Sequence, residues 1–293
     1  MSKYLIESEE FEVQITNTGA EICSFKNKKS GKEYIWQGNP EIWGSHAPVL
    51  FPIVGGLKNN TFFFDDKPYQ MPRHGFVRGN KDLRVISQST HQLVLQLKSS
   101  EKTKNIYPFD FDFQMSFELL SNQLKMSHQL INTGNIKMYF SLGAHPAFNC
   151  PLEEGKKYEH YHLQFEETEN LNTWMLDEKG QIKEEGETIM NRTNKLFLHP
   201  NLFDKDALIF KSLRSRQVSL YEQDHEIIRL AFKDFNSLGL WAKPAAPFIC
   251  IEPWLGYADS SNSNQQLKDK EGIIGLDPKK EFRASYTIEI FEK

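Results

Sequence analysis

The chain has 293 residues, with 35 Lys and Arg against 39 Asp and Glu, a net charge of −4 and a pI near 6.2. That balance gives no electrostatic case for nucleic acid or an anionic membrane as a partner. The length suffices for a large core, and 22 Phe, 10 Tyr and 5 Trp favour strands over helices.

Cys23, Cys150 and Cys250 are far apart, odd in number and without a C-x-x-C, so no disulfide framework is expected. Acidic residues from Glu7 onward come too early for a secretory signal. No apolar run reaches the length of a membrane span. The expectation is a reduced, cytoplasmic protein, in which the N-x-T triplets at Asn59 and Asn191 carry no meaning.

In chain order, Glu10 to Thr16, Ala20 to Phe25 and Glu33 to Trp36 read as short strands separated by turn residues. His46 to Leu57 carries two prolines and two glycines, which keep it out of a helix or central strand. Thr61–Phe64 and Pro68–Met71 flank Asp65-Asp66-Lys67 as a hairpin. Met71 to Gly79 is a loop with Arg73, His74 and Arg78. From Asp82 the period of two is strong: Phe111, Phe113, Met115, Phe117 and Leu119 alternate with polar residues, and Leu124 to Ile131 follows across Ser121-Asn122. This is an antiparallel meander with one buried face. Residues 152–200 are polar and irregular, and read as short strands and long loops. Ala207–Phe210, Val218–Tyr221, Ile227–Phe232, Leu238–Trp241 and Pro247–Ile251 are further strands, 256–265 is a loop, and Arg283 to Phe291 closes the sheet. No long amphipathic helix, repeat or linker interrupts the series. The expectation is one all-β domain over 1–293, a large antiparallel two-sheet sandwich.

Two strand ends carry chemistry. Met138-Tyr139-Phe140 leads into Gly143-Ala144-His145-Pro146, and Phe248-Ile249-Cys250-Ile251 leads into Glu252-Pro253. A residue before proline is held extended, which fixes His145 and Glu252. With reference pKa values near 4.3 for glutamate and 6.5 for histidine, the pair can serve as base and acid at neutral pH. The plain alternatives are a core histidine and a glutamate in a salt bridge. Arg73 and Arg78 can bind an anion or simply be solvated. His160 and His162 alternate on one strand, but nothing resembles a metal-ligand set, a phosphate loop or a nucleophile elbow. No cofactor is expected.

Five stretches in order resemble the aldose 1-epimerase (galactose mutarotase-like) family, in the LacX-type branch: Pro48–Gly55, His74–Arg78, Gly143–Phe148, Asp206–Phe210 and Phe248–Trp254. The resemblance implies a β-supersandwich with an open polar cleft and a small-molecule sugar as partner. It implies His145 as acid and Glu252 as base, with His74, Asp206 and Arg78 as sugar contacts, Asp204 competing with Asp206. Trp241 and Trp254 can offer apolar faces to a sugar. One departure is Gly56, where the branch often has arginine, and this bears on the substrate. The implied activity is mutarotation of a hexose or hexose 6-phosphate, with a non-catalytic sugar-binding protein as the alternative. A homodimer is compatible with the sequence, though no pattern in it demands one.

Overall fold

The computed structural model describes residues 2–292, and nearly all its regular structure is antiparallel β. The strongest alternation builds the centre of the larger sheet. Phe111–Leu120 alternates buried and half-buried positions and pairs with Gln123–Asn132, with Ser121 at φ 53° in the turn. That sheet has nine strands. From one edge it runs Ile182–Phe197, Tyr161–Leu176, Gln217–Glu222, His225–Ala231, Glu281–Ile290, Gln123–Asn132, Phe111–Leu120, Gln92–Lys98 and Arg84–Gln88. The last strand of the chain therefore lies in the middle of the sheet.

A second, six-stranded sheet runs Leu208–Phe210, Ser237–Trp241, Phe248–Leu255, Leu142–Ala144 and Val49–Leu50, with Ala147–Asn149 also on Phe248–Leu255. Smaller sheets are formed by Lys3–Glu7, Phe11–Thr16 and Ile22–Asn27, by Thr61–Phe64 with Lys67–Gln70, and by Met138–Phe140 with Ile274–Leu276. The apolar faces form one extended core containing Phe51, Phe113, Phe140 and Ile251. A separate apolar cluster of Leu50, Val54, Leu176, Ile182, Ile209, Trp254, Tyr257 and Ala258 supports the cavity described below.

Three expectations need correction. Glu33 to Trp36 makes only isolated bridges, Lys26 to Glu33 and Ile35 to Phe148. The Glu33 carboxylate accepts from the backbone N–H groups of Phe25 and Ile35, occupying donors that a ladder would use. Residues 152–200 contain two strands of 16 residues each rather than short strands and long loops. Their pairing has four register shifts, and the outer strand is largely exposed, so the alternation of Tyr161 to Glu166 does not carry through the rest of the hairpin. Buried Glu169 is part of this pattern; its carboxylate accepts from both N–H and O–H of Ser215.

The third correction concerns Glu252, expected at a strand end. Phe248–Leu255 continues through Pro253, with Glu252 opposite Gly239. The other neighbour explains why proline is tolerated. Leu142–Ala144 and Ala147–Asn149 flank Phe248–Leu255 on the same side, but they part at His145-Pro146. The Ile251 N–H points into that side, to Pro146 O. By alternation the Pro253 nitrogen faces the same side, opposite Ala144 at the edge of the gap, where the pairing with Leu142–Ala144 has ended.

Candidate active site

The gap between those two short strands brings His145 to Glu252. His145 Nε2 lies 3.3 Å from Glu252 Oε2, with the residues 7% and 1% exposed. Glu252 Oε2 and His145 Nδ1 have no hydrogen-bond partner. The Trp254 indole N–H, which tends to lower the Glu252 pKa, closes no well-formed bond. Trp254 is fixed by close approach: a Cβ at Gly143 or Gly239 would lie within 2.8 Å or 2.5 Å of its ring. Burial raises the Glu252 carboxyl well above the ordinary range, against the charge of Arg73. Burial, with Arg78 adding to it, lowers His145 to about 3. Both shifts disfavour charge, and so favour a neutral pair with the proton on Glu252 over an ion pair.

His74 comes from the loop at φ 69°, a left-handed conformation costly for a non-glycine residue. It is held by reciprocal bonds: its N–H donates to Gly55 O at 2.9 Å, and Gly55 N–H donates to His74 Nδ1 at 3.2 Å. Because Nδ1 accepts, Nε2 carries the ring proton. Arg73 Nε, 3.4 Å from that Nε2, is therefore a contact between donors. Burial, reinforced by His145 and both arginines, keeps the His74 ring neutral. Its ring meets that of His145 edge-on at 5.7 Å.

These groups share a cavity of about 350 Å³, within the roughly 300–1,000 Å³ of small-ligand sites. Arg73, Arg78 and Asp206 line it from exposed loop positions. Arg78 Nη2 donates to Ser45 Oγ. Asp206 has φ 81°, so two polar lining residues occupy strained backbone, a recurring feature of functional sites. Asp204 instead accepts from Asn201 Nδ2 and lies off the lining. Gly56 is also off the lining.

Trp241 and Trp254 line the cavity, and so does Trp43, which the sequence did not single out. It stacks on the His145 ring at 5.0 Å and meets Trp241 edge-on. Its only sequence signal is an aromatic residue in a Gly/Pro-containing loop. Leu176 and Ala258 were also missed. Leu176 comes from the long hairpin, whose turn brings Gly180 against Arg73. His160 and His162 do not converge: one accepts from Lys157 N–H, the other stacks on Tyr221.

The sequence model of the family described as aldose 1-epimerase matches residues 2–288. The chromosomal and plasmid forms of Protein LacX from Lactococcus lactis subsp. lactis are each 33% identical, over 97% of this chain and 98% of theirs. A solved galactose mutarotase related enzyme from Lactobacillus acidophilus has a TM-score of 0.94 at 33% identity, covering 99% of this chain and 98% of that one. A galactose mutarotase-like protein from Lactobacillus casei ATCC 334 gives 0.92 at 27%, covering 99% and 100%. No helix among the described residues is long and apolar enough to cross a membrane. The matches support a carbohydrate epimerase-type function and a galactose mutarotase-like fold. The chain belongs to the aldose 1-epimerase family.

Proposed function

We propose that the cavity binds an aldose and interconverts its α and β anomers, with Glu252 and His145 as the acid–base pair. The observation that carries this reading is the 3.3 Å approach of Nε2 to Oε2 on the floor of the cavity. The C1 hydroxyl oxygen and the ring oxygen of an aldose are bonded to the same carbon. Their catalysts must be close neighbours on one side of the sugar, not across it. With the sugar bound the single proton of the pair moves from Glu252 to His145, so that Glu252 takes the C1 hydroxyl proton while His145 gives its own to the ring oxygen. The bond from C1 to the ring oxygen breaks as the C1 carbonyl forms. After rotation about C1–C2, the freed hydroxyl attacks the other face of the carbonyl. His145 then takes that hydroxyl's proton and Glu252 returns one to the carbonyl oxygen.

One proton shared by the pair matches both stages. The closed sugar calls for it on His145, and the open aldehyde calls for it on Glu252. Positioned acid–base catalysis contributes about 10²–10⁴-fold. His74 Nε2–H and Asp206 hold sugar hydroxyls, and Trp43 fixes the His145 ring while Trp241 offers an apolar face. The chemistry needs only proton transfer, so turnover should survive dialysis against EDTA, and a full loss restored by a divalent ion would overturn the mechanism.

Arg73 and Arg78 favour a particular substrate, a hexose 6-phosphate. Both line the cavity and a neighbouring cleft of about 580 Å³, and neither forms an ion pair among the described residues. The test is polarimetry of freshly dissolved α-glucose, α-galactose and their 6-phosphates, with and without protein. Faster decay towards equilibrium for at least one is expected. Binding without acceleration of any would replace this reading with a non-catalytic sugar-binding protein.

A further inference from the structure

We propose that Cys250, His145 and Glu252 form a capture site for one thiophilic divalent cation, zinc in particular, at the floor of the cavity. Cys250 and Glu252 are two residues apart on one strand, so their side chains leave the same face. His145 enters from the gap in the neighbouring strand. Among the described residues, this is the one group of three or more potential ligands whose ligand atoms all lie within 4.8 Å of one another.

The geometry suits a tetrahedral ion. Zinc–nitrogen and zinc–oxygen bonds of about 2.0–2.2 Å place the two ligand atoms roughly 3.3–3.5 Å apart. His145 Nε2 and Glu252 Oε2 stand at 3.3 Å already. A zinc–sulfur bond of about 2.3 Å puts sulfur roughly 3.6 Å from either, and since the three ligand atoms lie within 4.8 Å of one another, side-chain rotation has little to close. A second, independent observation points to a ligand: Glu252 Oε2 is buried without a hydrogen-bond partner. His145 and Glu252 both line the cavity, which gives the ion an entry path and leaves a fourth position for water.

Charge balances without redox chemistry. The cation binds the Cys250 thiolate, the Glu252 carboxylate and neutral His145, and the displaced protons go to solvent. The resulting unit is neutral, avoiding the cost of an uncompensated buried charge. The lone pairs of His145 and Glu252 are then occupied. Given the acid–base reading above, the bound metal inhibits mutarotation, and EDTA reverses the inhibition. The contrasting view is that Cys250 is simply a small apolar core residue, as buried cysteines often are.

The experiment titrates the purified, metal-free protein with Co²⁺ and then Zn²⁺. One equivalent of Co²⁺ should give a thiolate-to-cobalt charge-transfer band with the strong visible absorption of four-coordinate cobalt, and Zn²⁺ should abolish both. Cys250→Ala should remove the band and weaken Zn²⁺ binding by more than the roughly 10–100-fold typical of losing a second-shell partner. Cys23→Ala and Cys150→Ala should leave the band intact. Should Cys250→Ala not fold, His145→Asn provides the test, because it keeps the thiol but must weaken the site. No thiolate band at stoichiometric metal, or a band unchanged in Cys250→Ala or His145→Asn, overturns the proposal. A band in a protein that accelerates no sugar leaves the metal site standing and removes only the mutarotase reading.

Discussion

Glu252 and Arg73 line the same cavity, yet they belong to different kinds of structure. Glu252 lies inside a β-ladder, 1% exposed, opposite Gly239 and against Trp254. His145 beside it is clamped by backbone bonding to Pro48 O and by stacking on Trp43. Arg73, Arg78 and Asp206 stand on loops with exposed side chains. Their charges are screened by solvent, and their side chains lose entropy when held in place. The floor therefore has the rigidity and low dielectric that proton transfer exploits. The rim suits recognition, where each contact contributes modestly. His74 connects the two: its backbone belongs to the loop, but its ring is buried and tethered to Gly55.

The largest effect should come from the floor. Glu252→Gln and His145→Asn should each lower turnover by at least about 10²-fold. The double variant should lose less than the product of the two losses, because the groups act as one unit. Circular dichroism should show both variants folded, since the ladder bonds around Glu252 are made by backbone atoms. Sugar binding, measured by calorimetry, should persist. Near wild-type turnover in either single variant would remove the pair from the mechanism.

A histidine remote from the site sharpens the meaning of burial. His128 is buried between Phe113 and Tyr286, and burial alone lowers it to about 4. In the unfolded chain it titrates near 6.5. Its neutral form thus contributes stability that is complete above pH 6.5 and is lost as the pH falls towards 4. The difference corresponds to about 3 kcal/mol. Urea unfolding of wild type and His128→Phe at pH 7 and near pH 4 should show a smaller acid loss in the variant. Identical pH slopes would mean that His128 is protonated without penalty.

Rim substitutions should do less. Asp206→Asn, Arg73→Ala and Arg78→Ala should raise KM by roughly 3- to 10-fold, about 0.5–1.5 kcal/mol, with kcat little changed. Asp204→Asn should change neither, because its carboxylate is engaged with Asn201 away from the cavity. For a phosphorylated substrate the arginine variants should weaken binding of the 6-phosphate far more than that of the free sugar. Equal weakening would remove the phosphosugar reading. A fall in kcat comparable to that of the floor variants would erase the distinction between floor and rim.

Legibility follows the same division. The Phe111–Leu120 alternation was readable because one face is buried and the other is not. The floor could be found from Gly-Ala-His-Pro and Ile-Glu-Pro, where proline marks interrupted pairing. Its geometry could not: the gap that receives His145 depends on a neighbouring strand more than a hundred residues away. Leu176 and Trp43 were hidden for different reasons. Leu176 belongs to a bulged hairpin whose outer strand is polar and largely exposed, and Trp43 lies in a loop whose position depends on packing against His145 and Trp241.

The smallest effect is expected at Gly56, where relatives of this branch prompted the expectation of an arginine. A Cβ there would touch only the Gly180 carbonyl, at an ordinary 3.6 Å, and Gly56 is not among the positive-φ glycines. Arg73 also approaches Gly180, its Nη1 lying 3.2 Å from where a Cβ on that residue would be. Gly56→Arg should therefore adapt by leaving past Gly180, and the reduced freedom of the unfolded chain offsets part of the cost of ordering the longer side chain. Because Gly56 is itself buried, stability should fall by about 1 kcal/mol, and free-sugar turnover should be unchanged. With a 6-phosphate, a second guanidinium beside Arg73 should lower KM by a few fold. A marked drop in melting temperature, or in turnover of the free sugar, would assign Gly56 to the rigid floor and move the boundary between the two regions.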